Sequence, residues 1–273
     1  MSPSEKLRTY AYPTAIPKGM LRKIALWGVD GLLLLRGLKF PPYFSFRERV
    51  GLLRKGLEPD IQHLCTKLLK PGMMVVDVGA NVGLLTRHFC RSVGAQGRVY
   101  AFEPDPLTFE YLEFNTRSFT NKELAQCAVS DNHEPALLHL NPGSGMGNSL
   151  LNRNYSEESV SVTCISLDEF LKKHGDLVVD MIKIDVEGAE LNVLRGMRQT
   201  VARLPQLKII IEYCPKNLKG AGIAPREVFN ELRSQRFNLQ VIQPDGGLKA
   251  IYTFDDLECN LNPSGYVNLL CSR

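Results

Sequence analysis

The feature that most constrains this chain is a short apolar run that ends in a glycine-rich turn, MMVVDVGANVG at residues 73–83. The run predicts a buried strand that ends near Asp77, and Gly79 and Gly83 predict a tight turn into a helix. Glycines at such a turn let the backbone approach a ligand closely, and the new helix presents unpaired N–H groups. The spacing lacks the GxGxxG of dinucleotide-binding enzymes, so the turn favours a single nucleoside.

From about residue 72, apolar runs alternate with helix-like stretches, which is typical of a parallel sheet covered by helices on both faces. The predicted strands are 73–79, 98–103, 123–129, 177–185 and 207–213, and the predicted helices are 83–94, 106–118, 188–203 and 225–236. Three β-like segments follow without a helical pattern between them, at 237–243, 249–254 and 266–272. We therefore expect the sheet to end in antiparallel pairing. A further pair of β-like segments, 135–140 and 159–165, predicts an inserted hairpin.

Polar side chains follow the next two strands. RVYAFEPD ends with Glu103, and Pro104 stops the strand. A carboxylate at the tip of the second strand commonly holds a ribose diol, and it would lie beside Asp77, because the carboxyl ends of parallel strands share one edge. After the third strand, Ser130 and Asp131 are placed where they could contact the amino group of an adenine, although this sequence also favours a turn.

A dense group of charges lies near the end of the fourth predicted strand, in MIKIDVEGAE at residues 181–190. Period-two alternation places Lys183, Asp185 and Glu187 on one face, roughly 6.6 Å apart. Ionisable groups in a central strand need partners, so these residues either satisfy one another or line a wet, functional cleft. We favour the cleft.

Taken together, DVGANVG, AFEP, AVSD, SLDEFL and IKIDVEGAE make the chain resemble the FkbM-type methyltransferases, a branch of the class I S-adenosylmethionine-dependent enzymes, over roughly residues 60–235. The resemblance implies an α/β fold with a Rossmann-like, seven-stranded, mostly parallel sheet and an antiparallel last strand. It also implies a cofactor site. Its residues would be Asp77, Gly79, Asn81 and Gly83 around the methionine part, Glu103 at the ribose, Asp131 at the adenine and Asp185 near the methionine amino group.

Members of that family typically methylate hydroxyl groups of small molecules or sugars, so the resemblance implies O-methylation with S-adenosyl-L-homocysteine as the second product. No histidine lies in a recognised motif, which leaves carboxylates as candidate bases. Glu212 in IIIEYC is the preferred base, and Glu187 is the next candidate. The alternative role of Glu212 is an ion pair with Lys183.

Four other functions are weighed against this one. A metal-assisted O-methyltransferase with Asp185 as an oxygen ligand and a non-catalytic methyltransferase-like binding module stay open. An NAD-dependent oxidoreductase is disfavoured, because GxGxxG is missing and no YxxxK pair is evident. A nucleic-acid substrate is also disfavoured, because the basic residues are not interleaved with a stacking aromatic platform.

Charge divides the chain into a basic, partly apolar extension at residues 1–60 and an expected methyltransferase domain at 61–273, with the inserted hairpin near 135–165. The extension has eleven Lys or Arg against five Asp or Glu, which attracts anions. Residues 21–38 predict an apolar helix that Asp30 interrupts and that is too short to cross a bilayer. Packing or a lid is the preferred role, and peripheral membrane contact is the second.

Composition excludes disordered, collagen-like and membrane-spanning classes, because 44% of the residues are hydrophobic and 23% charged. The seven cysteines are scattered singly, and the five histidines show no metal-ligand spacing. We therefore expect reduced thiols, no structural metal and a cytoplasmic protein, possible membrane contact aside. The oligomeric state and the acceptor stay open.

Overall fold

The computed structural model describes residues 20–55, 58–140 and 159–273. The helices in these ranges are α1 (Met20–Leu35), α2 (Phe46–Lys55), α3 (Pro59–Leu68), α4 (Leu84–Val93), α5 (Pro106–Thr116), α6 (Leu167–Lys173), α7 (Glu190–Arg195), α8 (Arg198–Arg203), α9 (Pro215–Gly220), α10 (Pro225–Ser234) and α11 (Phe254–Glu258). The strands are β1 (Met74–Val78), β2 (Arg98–Phe102), β3 (Lys122–Ala125), β4 (Ala128–Val129), β5 (Ala136–His139), β6 (Ser159–Val162), β7 (Cys164–Ile165), β8 (Met181–Ile184), β9 (Lys208–Tyr213), β10 (Asn238–Ile242), β11 (Leu248–Ile251) and β12 (Val267–Ser272).

The main sheet has the order β11–β10–β12–β9–β8–β1–β2–β3. Strands β9, β8, β1, β2 and β3 pair in parallel, whereas β12 runs antiparallel to both of its neighbours, β9 and β10. The predicted Rossmann-like, mostly parallel sheet with a reversed last strand is therefore confirmed. Strand β11 pairs antiparallel with β10 and extends the sheet at that edge beyond the seven strands implied.

The central strands are apolar on both sides because helices cover both faces of the sheet. On one face, Val76 and Ile182 belong to a core with the α7 residue Leu191. On the other face, Val75 packs in a second core with Phe89 of α4 and Leu64 of α3. Burial of these side chains on both faces fixes the level at which the strands end, and therefore the position of the residues that follow them.

Three local predictions differ from the structure. Predicted helix 188–203 is broken between α7 and α8, where a Cβ on Gly196 would lie 2.1 Å from the backbone oxygen of Ser130, so the backbones touch there. Predicted strand 123–129 is divided, because β4 leaves the main sheet to pair with β7. The prediction that no helix separates the last strands is wrong, because α11 lies between β11 and β12. It begins at Phe254 and is capped by Thr253, whose side chain accepts from the N–H of Asp256 at 3.0 Å. The two segments of the predicted hairpin pair antiparallel as β5 and β6, and their connection, residues 141–158, lies outside the described residues.

The N-terminal helix α1 packs on the hairpin side of the domain. Leu33 is buried in a core that includes Tyr43 and the β5 residue Leu138. Asp30, which interrupts the apolar sequence of α1, accepts from Nη1 of the buried Arg49 at 2.6 Å. Within the described ranges, no helix is long and apolar enough to cross a membrane.

Candidate active site

The carboxyl ends of β1, β2, β8 and β9 open into a cleft of about 590 Å³. The cleft brings together residues that the sequence separates by more than a hundred positions. Of the eleven predicted site residues, the eight that line it are Asp77, Gly79, Asn81, Glu103, Lys183, Asp185, Glu187 and Glu212. Gly83, Ser130 and Asp131 do not line it.

The turn after β1 requires glycine at its first position. Gly79 has a φ of +81°, and a Cβ there would lie 1.8 Å from the carbonyl oxygen of Asp185. Its N–H donates to the oxygen of Phe102 at 3.0 Å. Gly83 has a different role, because a Cβ there would lie 2.6 Å from Cδ1 of Leu112 on α5. The first glycine lets β1 and β8 approach each other at the cleft, and the second lets α4 begin against α5.

Asp77 is fully buried at the base of the cleft. Its Oδ2 accepts from the hydroxyl of Thr86 at 2.6 Å, whereas its Oδ1 has no hydrogen-bond partner among the described residues. Burial raises the pKa of Asp77, and the nearby Lys183 lowers it in part. An unsatisfied buried acceptor is unfavourable, so this oxygen is suited to a donor supplied by a ligand.

Glu103 is held by backbone groups on both sides. Its Oε2 accepts from the N–H of Asn81 at 2.9 Å, and its Oε1 accepts from the N–H of Asp105 at 3.0 Å. Burial raises the pKa of Glu103 to about 8, and the neighbouring Asp105 adds to that effect. Because each carboxylate oxygen has a second lone pair, the group can still accept from two hydroxyls of a ligand.

Lys183 is a positively charged side chain that lines the cleft. Its Nζ donates to Oδ2 of Asp185 at 2.9 Å. Burial disfavours the ammonium, but the carboxylates of Asp185, Glu58 and Asp77 outweigh it, and the pKa of Lys183 is raised. Lys183 therefore stays charged and cannot accept a proton. It offsets part of the negative charge around it.

Sequence reasoning missed Glu58, which precedes every recognised motif. Its only local signal is that Glu58 stands directly before Pro59, the first residue of α3. Carboxylate oxygens of Glu58, Asp185 and Glu212 lie within 4.8 Å of one another. Burial raises the pKa of Glu58 to about 7. For Glu212, burial together with the charges of Asp185 and Glu187 raises the pKa to about 10.

The cluster of Glu58, Asp185 and Glu212 can attract a metal ion or an organic cation. Oxygen ligands suit Mg²⁺ or Ca²⁺, and the spacing allows one ion to contact all three side chains. A cationic organic ligand would equally relieve the repulsion among them. Glu187 is not a member of this cluster, and its Oε2 accepts from Nδ2 of Asn217 at 2.6 Å.

The predicted adenine contacts lie outside the cleft. Ser130 is buried, and its N–H donates to the oxygen of Ile165 at 3.0 Å, whereas Asp131 is exposed. The residues just before them, Cys127 to Val129, do line the cleft. The role of Ser130 and Asp131 at an adenine stays a prediction.

The chain is similar in sequence to known methyltransferases. A family model described as the methyltransferase FkbM domain matches residues 77–239. The 2-O-methyltransferase NoeI of Sinorhizobium fredii is 25% identical over 220 residues, which cover 73% of this chain and 89% of that protein. The hexuronic acid methyltransferase AglP of Haloferax volcanii is 25% identical over 185 residues, which cover 67% of this chain and 71% of that protein. Among solved structures, Aeropyrum pernix fibrillarin with natively bound S-adenosyl-L-methionine aligns with a TM-score of 0.41 at 15% identity, over 84% of this chain and 76% of that one.

Proposed function

Because the chain belongs to the FkbM methyltransferase family, we propose that it binds S-adenosylmethionine in the cleft and transfers the methyl group to a hydroxyl of a small molecule or sugar. The observation that carries this proposal is the pairing of two carboxylates at adjacent strand ends. Glu103 is anchored by two backbone N–H groups, and Asp77 keeps one buried oxygen without a partner among the described residues. The first suits a ribose diol, and the second suits a donor on the methionine part of the cofactor.

Charge supports the same cofactor. The cleft holds carboxyl groups of Glu58, Asp77, Asp185 and Glu212 around the single described ammonium of Lys183. S-adenosylmethionine carries a sulfonium, an ammonium and one carboxylate. Its net positive charge is attracted to ionised carboxylates, and it favours the ionised forms of Glu58, Asp77 and Glu212, whose pKa values burial raises. Burial makes that attraction larger than it would be in water.

An apolar side of the cleft is suited to the adenine. The apolar side chains of Phe102, Cys127, Ala128, Val129 and Leu138 line the cleft that also contains Glu103. A flat base can pack against such side chains without hydrogen bonds, while Asp131 would act only from the edge. This apolar contact supports a nucleoside as the ligand.

Methyl transfer from a sulfonium is an in-line displacement. The bond from the acceptor oxygen to the methyl carbon forms as the carbon–sulfur bond breaks, and the hydroxyl proton passes to a base. We assign that base to Glu212, with Glu187 as the alternative, and a base contributes on the order of 10² to 10⁴-fold. Before the ligand binds, Glu212 holds a proton at neutral pH. The positive charge of the sulfonium favours its ionised form, which is the form that accepts a proton. Lys183 fixes Asp185 by a hydrogen bond.

The name of one relative supports an oxygen acceptor, and that of another supports a sugar. One is named a 2-O-methyltransferase and the other a hexuronic acid methyltransferase. We therefore expect a hydroxyl on a sugar or another small molecule as the acceptor, rather than a nucleic acid.

A second candidate is a metal-assisted form of the same reaction. The observation that favours it is the spacing of Glu58, Asp185 and Glu212, whose carboxylate oxygens lie within reach of one ion. A divalent ion there would polarise the acceptor hydroxyl. Activity that survives EDTA would remove this candidate, and activity that is lost and restored by Mg²⁺ would establish it.

The proposal is tested by incubating the full chain with methyl-labelled S-adenosylmethionine and a panel of sugars and metabolite extracts. Mass spectrometry then identifies any labelled product. Label in an ether that base does not hydrolyse supports O-methylation of a hydroxyl. If the chain binds the cofactor but labels nothing in any extract, the non-catalytic binding module is the better description.

A further inference from the structure

Helix α1 presents an apolar face to solvent. Leu35 is 85% exposed, Trp27 73%, Leu32 55% and Leu34 47%. Between Leu26 and Leu35 the only charged residue is Asp30, and it is paired with Arg49. Exposed large apolar side chains that adjoin one another on one element mark an interaction surface. We call these four side chains the apolar face.

The apolar face cannot turn inward, because the opposite side of α1 is already packed. Leu33 is 2% exposed in the core that it shares with Phe40 and Leu138. The bond between Asp30 and Arg49 holds the same side of the helix toward α2. A roll of α1 that hid Leu35 would expose Leu33 and break that ion pair.

A cluster of basic side chains adjoins the C-terminal end of the apolar face. Its exposed members are Arg36, Lys39, Arg91 and Arg117, which we call the basic rim. Contacts hold the rim in place: the carbonyl oxygen of Gly37 accepts from Arg117 at 3.2 Å, and Nζ of Lys39 lies 4.0 Å from the centroid of the Phe114 ring. Glu113, exposed one turn before Arg117, leaves the rim positive overall.

We propose that this surface docks on a membrane that contains anionic lipids, with the apolar face entering the headgroup region and the basic rim contacting lipid phosphates. An apolar face beside basic side chains is the arrangement that binds such a surface. Helix α1 has 16 residues and is not a span. A second copy is less suited to this surface. Parallel pairing of two α1 helices would bring the two positively charged rims together.

Tryptophan fluorescence gives a direct test, because Trp27 is the only tryptophan of the chain. The full chain is mixed with vesicles of phosphatidylcholine alone or with added phosphatidylglycerol. We expect emission near that of water-exposed tryptophan before mixing. With anionic vesicles we expect a blue shift, quenching by lipids brominated on their acyl chains, and co-sedimentation that falls as salt rises. Neutral vesicles should give much less of each.

Two variants and a matched control separate the two parts of the surface. Leu32→Ser with Leu35→Ser should lower vesicle affinity at least tenfold, whereas Val178→Ser, at a residue 65% exposed elsewhere, should not. Arg91→Glu with Arg117→Glu should weaken binding to anionic vesicles by at least about fivefold for each residue, since one basic contact is equivalent to about 1 kcal/mol. Circular dichroism checks that each variant is folded.

Three results would overturn the proposal. One is the absence of sedimentation with anionic vesicles. Another is Trp27 emission that is blue and protected from acrylamide before any lipid is added, since protein would then cover the apolar face. The last is a lipid-free dimer that the Leu32 and Leu35 variant dissociates, which would assign the surface to a second copy.

Discussion

The backbone N–H of Asn81 donates to Oε2 of Glu103 across 2.9 Å, which joins the turn after β1 to the tip of β2. The bond fixes the carboxylate before any ligand arrives. A group that is already oriented loses little conformational freedom when it binds, so this arrangement favours affinity. It also makes the site sensitive to a change of one atom at Glu103.

We predict that Glu103→Gln weakens S-adenosylmethionine affinity by about ten- to a hundredfold, at about 1.4 kcal/mol per decade. The amide has one carbonyl oxygen, so its NH₂ would face the N–H of either Asn81 or Asp105, and one backbone donor would lose its acceptor. Methyl transfer at saturating cofactor should change less. Titration calorimetry measures the affinity, and Glu110→Gln, on an exposed position of α5, is the control. An unchanged dissociation constant would remove Glu103 from the ribose site.

We predict that Gly79→Ala abolishes measurable cofactor binding and destabilises the fold more than Gly72→Ala does. Both glycines have left-handed φ angles, +81° and +89°, but only a Cβ on Gly79 meets the Asp185 oxygen, at 1.8 Å. The shared φ penalty is about 1–2 kcal/mol, and the clash adds to it at Gly79 alone. Urea denaturation of both variants makes the comparison. Equal free energies of unfolding would show that the close approach of the two strand ends has no energetic importance.

Sequence reasoning could place Asp77 and Glu103 together because parallel strands bring their carboxyl ends to one edge. It could not place Glu58, since that needs the docking of α3. In the structure, Leu64 of α3 packs with Phe89 of α4. The packing of α3 against the fold, which includes this contact between helices, brings Glu58 to the cleft.

The other differences have the same origin. The break between α7 and α8 depends on the backbone contact of Gly196 with Ser130, which lies 66 positions earlier in the chain. Helix α11 was the exception that a local signal could have found, because Thr253 and Asp256 form a capping box. Local chemistry determines helix ends, whereas breaks and site neighbours depend on contacts across the fold.

We predict that Glu212→Gln slows single-turnover methyl transfer without a large change in cofactor affinity. Burial raises the pKa of Glu212 to about 10, so the free protein already carries a neutral group there at pH 7. In the wild type the rate should rise with pH as the carboxyl ionises, and the variant should lack that rise until the acceptor ionises by itself. Quench-flow assays from pH 6 to 10 measure both profiles, with Glu187→Gln beside them. Identical rates and profiles for Glu212→Gln and the wild type would exclude Glu212 as the base.

We predict that the free energy of unfolding of the ligand-free protein falls as pH rises from about 5 to 8. Burial raises the pKa of Glu58 and Glu190 to about 7 and that of Glu103 to about 8, from an ordinary value of 4.5. A carboxyl with a raised folded pKa stabilises the fold below its unfolded pKa, and this contribution is lost as pH rises through the folded pKa. Burial lowers the pKa of His88, so this residue makes the free energy of unfolding rise with pH near 6.5. It is one group, whereas several carboxyls act in the opposite direction.

Urea denaturation at pH 5, 6.5 and 8 checks this dependence, and Glu58→Gln should flatten part of it. Saturating S-adenosylmethionine should also flatten it, since its positive charge favours the ionised carboxylates. Stability that increases steadily from pH 5 to 8 would contradict the assignment of buried, protonated carboxyls.

Titration calorimetry of the full chain with S-adenosylmethionine, S-adenosyl-L-homocysteine and NAD tests the central claim most directly. If Asp77 and Glu103 hold a single nucleoside, as we propose, both adenosyl compounds should bind with dissociation constants on the order of micromolar. NAD should give no measurable heat, because the turn after β1 lacks the glycine spacing that seats a pyrophosphate. Binding of NAD without binding of S-adenosylmethionine would contradict the account.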